Sequence, residues 1–67
     1  MKNRIRTLRK EKGMTQEELS QRVGVSRQSI IAIETGKYNP SLELAYKLAK
    51  VFNLTIEEVF IFEDGSD

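Results

Sequence analysis

The chain has 67 residues, 39% hydrophobic and 31% charged, with no Cys, no His and a formal net charge of +1. That is one domain near the lower size limit for an unaided core; without Cys there are no disulfides or thiolate metal sites, and without His the commonest metal ligand is missing. The small net charge hides an asymmetry: residues 1–37 hold nine Lys and Arg against four Glu, whereas residues 38–67 hold two Lys against six Asp and Glu, which predicts one basic face and one acidic end. No apolar run approaches the ~18 residues of a membrane span, and no signal peptide is expected ahead of the fold. A soluble, cytoplasmic protein without a membrane partner is expected.

The first helix is predicted from about Arg4 to Lys12, with Asn3 as its cap and Gly13 as its terminator. Ile5 and Leu8 form its inner face, with Arg9 beside them; Arg4, Arg6, Lys10 and Lys12 point mostly outward. Next comes the stretch around which the chain is organised, QEELSQRVGVSRQSIIAIET, residues 16–35. Thr15 and Glu18 make a capping box for a second helix. Ser20 is small enough for a third helix to approach closely, and Gly24 can take the left-handed conformation that turns the chain between them. Ser26 caps the third helix. Leu19, Val23, Val25, Ile30 and Ile33 fall where two crossing helices bury their inner faces. The pattern is that of a helix-turn-helix.

At about 100° per residue, Ser29, Ile30, Ile33 and Glu34 share one side of the third helix, and Arg27, Gln28, Ile31, Ala32 and Thr35 share the other. The first side must face the core. The second carries no carboxylate, so it can approach a polyanion. Arg27 and Gln28 stand in the first turn, where Arg suits a guanine edge and Gln an adenine edge in the major groove. Ile31 and Ala32, one turn on, can touch a thymine methyl. These four are the candidate base readers.

Gly36 ends this helix, and the loop GKYNPS follows. Pro40 stiffens the loop, and Ser41 caps a fourth helix from about Leu42 to Phe52, whose Leu44, Ala45, Leu48, Ala49 and Phe52 are core. Lys37, Tyr38 and Asn39 offer a cation, a hydroxyl and an amide suited to holding a nucleic-acid backbone. Asn53 can end the fourth helix. Thr55 and Glu58 then cap a fifth, expected from Ile56 to about Ile61. Ile56, Val59, Phe60, Ile61 and Phe62 put more apolar bulk at this end than so small a domain can bury. An identical chain is the usual cover, which makes Ile56, Val59, Phe60 and Phe62 candidate dimer contacts. Two alternatives stand beside it: Phe62 folding back on the first helix, or residues 61–63 forming a short strand. Residues 1–62 are thus expected to be one domain and residues 63–67 a disordered tail.

From IRTLRKEKGMTQEELSQRVGVSRQSIIAIETGKYNPSLELAYKLAKVFNLTIEEVF, residues 5–60, the chain resembles the Cro/repressor-type (XRE) helix-turn-helix regulators, which include the lambda-type phage repressors. The resemblance implies an all-α, five-helix lambda-repressor-like fold, double-stranded DNA as ligand, and a homodimer. It places Arg9 opposite Glu34 as a structural ion pair between the first and third helices. It also points the start of the second helix, Thr15 and Gln16, at a DNA backbone, where free N–H groups favour a phosphate oxygen. Thr35, Lys37, Tyr38 and Asn39 complete the expected backbone contacts.

The leading reading is a sequence-specific regulator, most simply a repressor at a palindromic operator. No sensor is expected after the reading head, which would leave control to concentration, a partner or another regulator. An antitoxin role belongs to the same class, but no long toxin-wrapping tail is present. A protein-interaction module that has lost DNA binding would be expected to carry acid on the outward face, and Arg27 and Gln28 stand there instead. Catalysis lacks its parts: Ser26, Ser29 and Ser41 serve as caps or packing residues with no activating base nearby in the pattern. No cofactor, metal or small-molecule site is expected.

Overall fold

A computed structural model describes residues 1–62; the tail expected at 63–67 lies outside them. The chain runs β1 (Lys2–Asn3), α1 (Ile5–Glu11), α2 (Gln16–Val23), α3 (Arg27–Glu34), α4 (Leu42–Val51), α5 (Ile56–Val59) and β2 (Phe60–Ile61). Five helices are present as expected, with a small antiparallel ladder added at the termini. Among the described residues no helix is long and apolar enough to cross a membrane.

Most helix starts follow from local chemistry. Thr15 Oγ1 accepts the Glu18 N–H at 3.0 Å while the Glu18 carboxylate accepts the Thr15 N–H at 2.8 Å, and Thr55 with Glu58 repeats the arrangement. Ser26 and Ser41 cap α3 and α4 by accepting from Ser29 and Leu44. Each such cap contributes about 1 kcal/mol. Gly24 sits at φ 77°, so α2 closes on the Ser20 carbonyl and the chain swings into α3. Ser20 is buried on α2, which packs against α3, its hydroxyl donating to the Glu17 carbonyl at 2.7 Å. A larger side chain there would push the two helices apart.

Every helix sends apolar groups into one core: Ile5 and Leu8 from α1, Leu19 and Val23 from α2, Ile30 and Ile33 from α3, Leu44, Ala45, Leu48 and Ala49 from α4, and Val59 from α5, closed by Phe52 and Phe60. Truncating a fully buried aliphatic such as Leu19 or Ile30 to Ala costs about 2–5 kcal/mol. That is a large share of what a domain this small commands.

Three boundaries differ from the sequence reading. α1 spans Ile5–Glu11 rather than Arg4–Lys12, and Arg4 occupies its N-cap position with no side-chain cap. Asn3 still serves the helix start from one residue further back, its Oδ1 accepting the Ile5 N–H at 3.1 Å. α4 stops at Val51, with Phe52 as cap and Asn53 in the left-handed region at φ 59°. α5 stops at Val59, because Phe60 turns extended (φ −105°, ψ 131°) and pairs with the N-terminus. The register is Lys2 opposite Ile61 and Asn3 opposite Phe60, and the Arg4 N–H takes the Val59 carbonyl at 2.8 Å. The strand expected as an alternative at 61–63 is therefore realised one residue earlier.

The ladder corrects the dimer-contact reading. Val59 and Phe60 are 0% and 1% exposed within a single chain, so neither has surface left for a partner. Phe60 is extended, and its side chain lies in the core. Ile56 is half-buried, and Phe62 remains 60% exposed.

Candidate nucleic-acid interface

The outward side of α3 is built as its periodicity predicts. Arg27 and Gln28 are exposed in the first turn, and Ile31 and Ala32 are half-buried one turn later. Ile30 and Ile33 on the opposite side are buried, which fixes the rotation of the helix. Thr35 is exposed at its end, with its hydroxyl donating back to the Ile31 or Ala32 carbonyl at 3.0 and 3.1 Å.

The single acid of α3 is turned inward and neutralised. The Glu34 side chain is 0% exposed. Arg9 Nε donates to Glu34 Oε2 at 2.7 Å and Arg9 Nη2 to Oε1 at 3.4 Å, while Arg9 Nη1 donates to the Met14 carbonyl at 2.9 Å. Gln16 Nε2 donates to Glu34 Oε1 at 3.1 Å, and the half-exposed Arg6 places Nε at 3.6 Å from the same oxygen. Burial pushes the Glu34 carboxyl up, but the hydrogen bonds from Arg9 and Gln16 and the charges of Arg9 and Arg6 outweigh it, so its pKa lies below the ordinary carboxylate value.

Sequence reasoning missed the continuation of this network. The other end of the Gln16 amide, Oε1, accepts from Arg27 Nε at 3.4 Å. One amide thus joins the buried carboxylate to the first outward side chain of α3. The partners are 18 and 11 residues apart in sequence, a separation that helical periodicity does not address. The only available signal was that Gln16 and Arg27 each begin a helix in a motif that brings those two starts together.

Around this point lies a shallow groove of about 690 Å³, lined by Lys10, Met14, Thr15, Gln16, Glu17 and Arg27 among others. Thr15 uses its hydroxyl oxygen as a cap and keeps its hydroxyl proton for another acceptor. Gln16 has its side chain engaged on both sides, so what it can offer an anion is its backbone N–H at the helix start. Glu17 is exposed at the same rim, and Gln21 Nε2 donates to its carboxylate at 3.3 Å.

Beyond α3 the backbone folds back on the helix end. Gly36, at φ 80°, donates to the Ile33 carbonyl at 3.0 Å, and the Lys37 and Tyr38 N–H groups share the Ala32 carbonyl at 3.0 and 3.2 Å. This leaves the side chains of Lys37, Tyr38 and Asn39 exposed together beside the end of the helix. Arg9 and Glu34 meet in the interior, whereas the candidate base readers and the loop residues lie on the surface. Among the described residues no group of His, Cys, Asp or Glu could hold a metal ion.

Two tightly turned helices, the second exposing Arg27 and Gln28 with its acid withdrawn, define a helix-turn-helix DNA-binding domain. The helix-turn-helix family pattern matches residues 5–59, and the chain belongs to that family, whose members are DNA-binding transcriptional regulators rather than enzymes. An HTH-type transcriptional regulator of Archaeoglobus fulgidus, itself uncharacterised, is 61% identical over 64 residues, spanning 96% of this chain and 91% of its own. The restriction-modification controller protein C.AhdI of Aeromonas hydrophila superposes with a TM-score of 0.78 at 37% identity, over 85% of this chain and 86% of that one. SinR, a master regulator for biofilm formation solved in complex with DNA, superposes with a TM-score of 0.73 at 33% identity, over 81% and 87%.

Proposed function

We propose that the protein is a transcriptional repressor that binds a palindromic operator as a homodimer, in the cytoplasm, with residues 1–62 as one reading unit. The observation that carries the reading is the outward side of α3: Arg27 and Gln28 are exposed there, while Glu34, the acid of that helix, is buried against Arg9. Arg27 and Gln28 hydrogen-bond base edges, and Ile31 and Ala32 exclude water or meet a thymine methyl. Thr15, Gln16, Thr35, Lys37, Tyr38 and Asn39 hold the phosphate backbone on either side. Repression follows from occupancy alone, since a bound dimer blocks the DNA it covers.

The dimer is supported by an apolar groove of about 580 Å³ on the side formed by α4 and α5. Leu42, Tyr46, Leu54, Ile56 and Phe62 line it, with Lys50 and Glu57 among its polar lining groups. Leu42 is 77% and Tyr46 56% exposed, an unusual display of large apolar groups for a chain this small. Two-fold pairing covers them and lets Lys50 of one copy face Glu57 of the other. It also sets two recognition helices about 34 Å apart, one turn of DNA.

The test is a pair of substitutions read against DNA selected from a random duplex pool. Arg27→Ala is expected to cost about 1–3 kcal/mol at the selected operator and to relax preference at one base pair per half-site. Lys37→Ala is expected to weaken operator and random DNA alike and to lower the salt slope by about one per subunit. Uniform weakening by Arg27→Ala, or altered sequence preference from Lys37→Ala, would reverse the assigned roles. A pool that yields no bound duplex removes the DNA-binding reading altogether.

A further inference from the structure

The N-terminal strand does more than close the fold, because it ends against the last turn of the reading helix. Asn3 Nδ2 donates to the Ile33 carbonyl at 2.9 Å, the same oxygen that takes the Gly36 N–H at 3.0 Å. The Met1 amine lies 3.3 Å from the Gly36 carbonyl. A Cβ placed on Gly36 would stand 3.3 Å from the Met1 carbonyl oxygen, which is backbone and cannot swing aside as a flexible side chain would. Two hydrogen bonds and the close approach of the Met1 backbone to Gly36 therefore bring the N-terminal segment onto the turn that presents Lys37, Tyr38 and Asn39.

The position of Asn3 is itself fixed from two directions. Its Oδ1 accepts the Ile5 N–H at 3.1 Å, which ties it to the start of α1. Its backbone is in register with Phe60, whose ring is buried in the core. One small amide thus spans α1, the terminal ladder and the C-terminal end of α3. The acceptor half serves the start of α1. The donor half goes to the Ile33 carbonyl of α3 at 2.9 Å and, at 3.4 Å, to the Met1 carbonyl.

We infer that Asn3 is a positioning residue for DNA recognition: its amide holds the C-terminal end of α3 and the Gly36 turn in the orientation that lets the reading side chains and the loop engage DNA together. The inference rests on the DNA-binding reading above, and it adds a residue on β1 that the helix-turn-helix pattern, beginning at residue 5, does not include.

Asn3→Ser separates the two halves of the amide. A serine hydroxyl can still accept the N–H two residues on but is too short to reach Ile33, whereas Asn3→Ala loses both bonds. Affinity for the selected operator, affinity for random duplex and thermal unfolding are measured on the same preparations. Asn3→Ser is expected to lower the operator-to-random affinity ratio about tenfold, the scale of one well-placed base contact, with unfolding close to that of the parent chain. Asn3→Ala is expected to lower the ratio equally and to unfold earlier. A second comparison uses two left-handed glycines: Gly13, at φ 65°, has nothing within 4 Å of an added Cβ, whereas Gly36 meets Met1. Both Ala variants bear the conformational strain, and only Gly36→Ala should lower the ratio. The inference is overturned if the Asn3 variants keep the parental ratio, or lose it only in proportion to the unfolded fraction. A parent chain that shows no operator preference overturns the underlying DNA reading instead.

Discussion

Replacing Arg9 with Met tests whether the buried ion pair sets the stability of the reading helix. The substitution keeps most of the apolar stem and removes three donors: two to Glu34 and one to the Met14 carbonyl. Breaking one side of a well-buried pair costs about 3–5 kcal/mol, because the other charge is stranded. Here Glu34 keeps Gln16 at 3.1 Å and Arg6 at 3.6 Å, so the expected loss lies near 3 kcal/mol. Glu34→Gln removes the charge yet leaves one oxygen as an acceptor, and its expected loss is about 1–3 kcal/mol. Together the two substitutions remove a shared interaction, so the double variant should lose less than the sum of the singles, by about 0.5–3 kcal/mol. Urea unfolding followed by circular dichroism supplies all four corners of the cycle. Losses that add within about 0.5 kcal/mol would mean that Arg9 and Glu34 act independently, despite their 2.7 Å contact.

The same carboxylate predicts an acid limb. Because the Glu34 pKa in the folded chain lies below its ordinary value of 4.5, its contribution is complete above that pH and is lost as pH falls through the lower, folded-state value. Glu34→Gln should therefore flatten the fall of the urea midpoint below about pH 4.5, and an unchanged acid limb would assign that fall to other groups. Association should respond to the exposed apolar groove: Phe62 is 60% exposed and counts twice in a two-fold interface, so Phe62→Ala should weaken the dimer by about 2 kcal/mol, roughly thirtyfold. Sedimentation equilibrium checks this, and a parent chain that remains monomeric at tens of micromolar, with and without operator DNA, refutes the dimer. Val59→Ala and Phe60→Ala should instead lower the unfolding midpoint, since both side chains are buried within one chain.

What was legible in the chain is what local chemistry controls. Thr15, Ser26, Ser41 and Thr55 cap helices because a hydroxyl there reaches an N–H three residues on. Gly24 and Asn53 close helices because those positions need positive φ. The inner and outer sides of α3 follow from helical spacing alone. A short strand at residues 61–63 stands among the sequence alternatives, but its pairing with the N-terminus was not legible, because two-residue strands carry no periodicity and their partner lies at the other end of the chain. Phe60 illustrates the consequence. Counted as the continuation of a helix it joins the apolar surplus assigned to a partner; turned extended by its pairing with Asn3, it belongs to the core. The role of Gln16 was half legible: its place at a helix start suggested a phosphate contact, while its two side-chain bonds depend on how three helices meet.

Those bonds give a domain with so little interior a way to hold the side chain of Arg27, the proposed base reader, in a defined geometry. A long Arg on an exposed helix turn loses considerable freedom when it engages a base, and that cost falls if the side chain is already restrained. Arg27 is restrained by Gln16, Gln16 by Glu34, and Glu34 by Arg9, which is itself tied to the Met14 carbonyl. The chain of contacts runs from the interior to the surface without an unsatisfied polar atom among the buried side chains described. The carboxylate belongs at its centre because it alone can accept from both Arg9 and Gln16 while carrying the charge that balances a buried guanidinium. Withdrawn there, it also leaves the outward side of α3 free of negative charge, so one residue serves packing, orientation and electrostatics together.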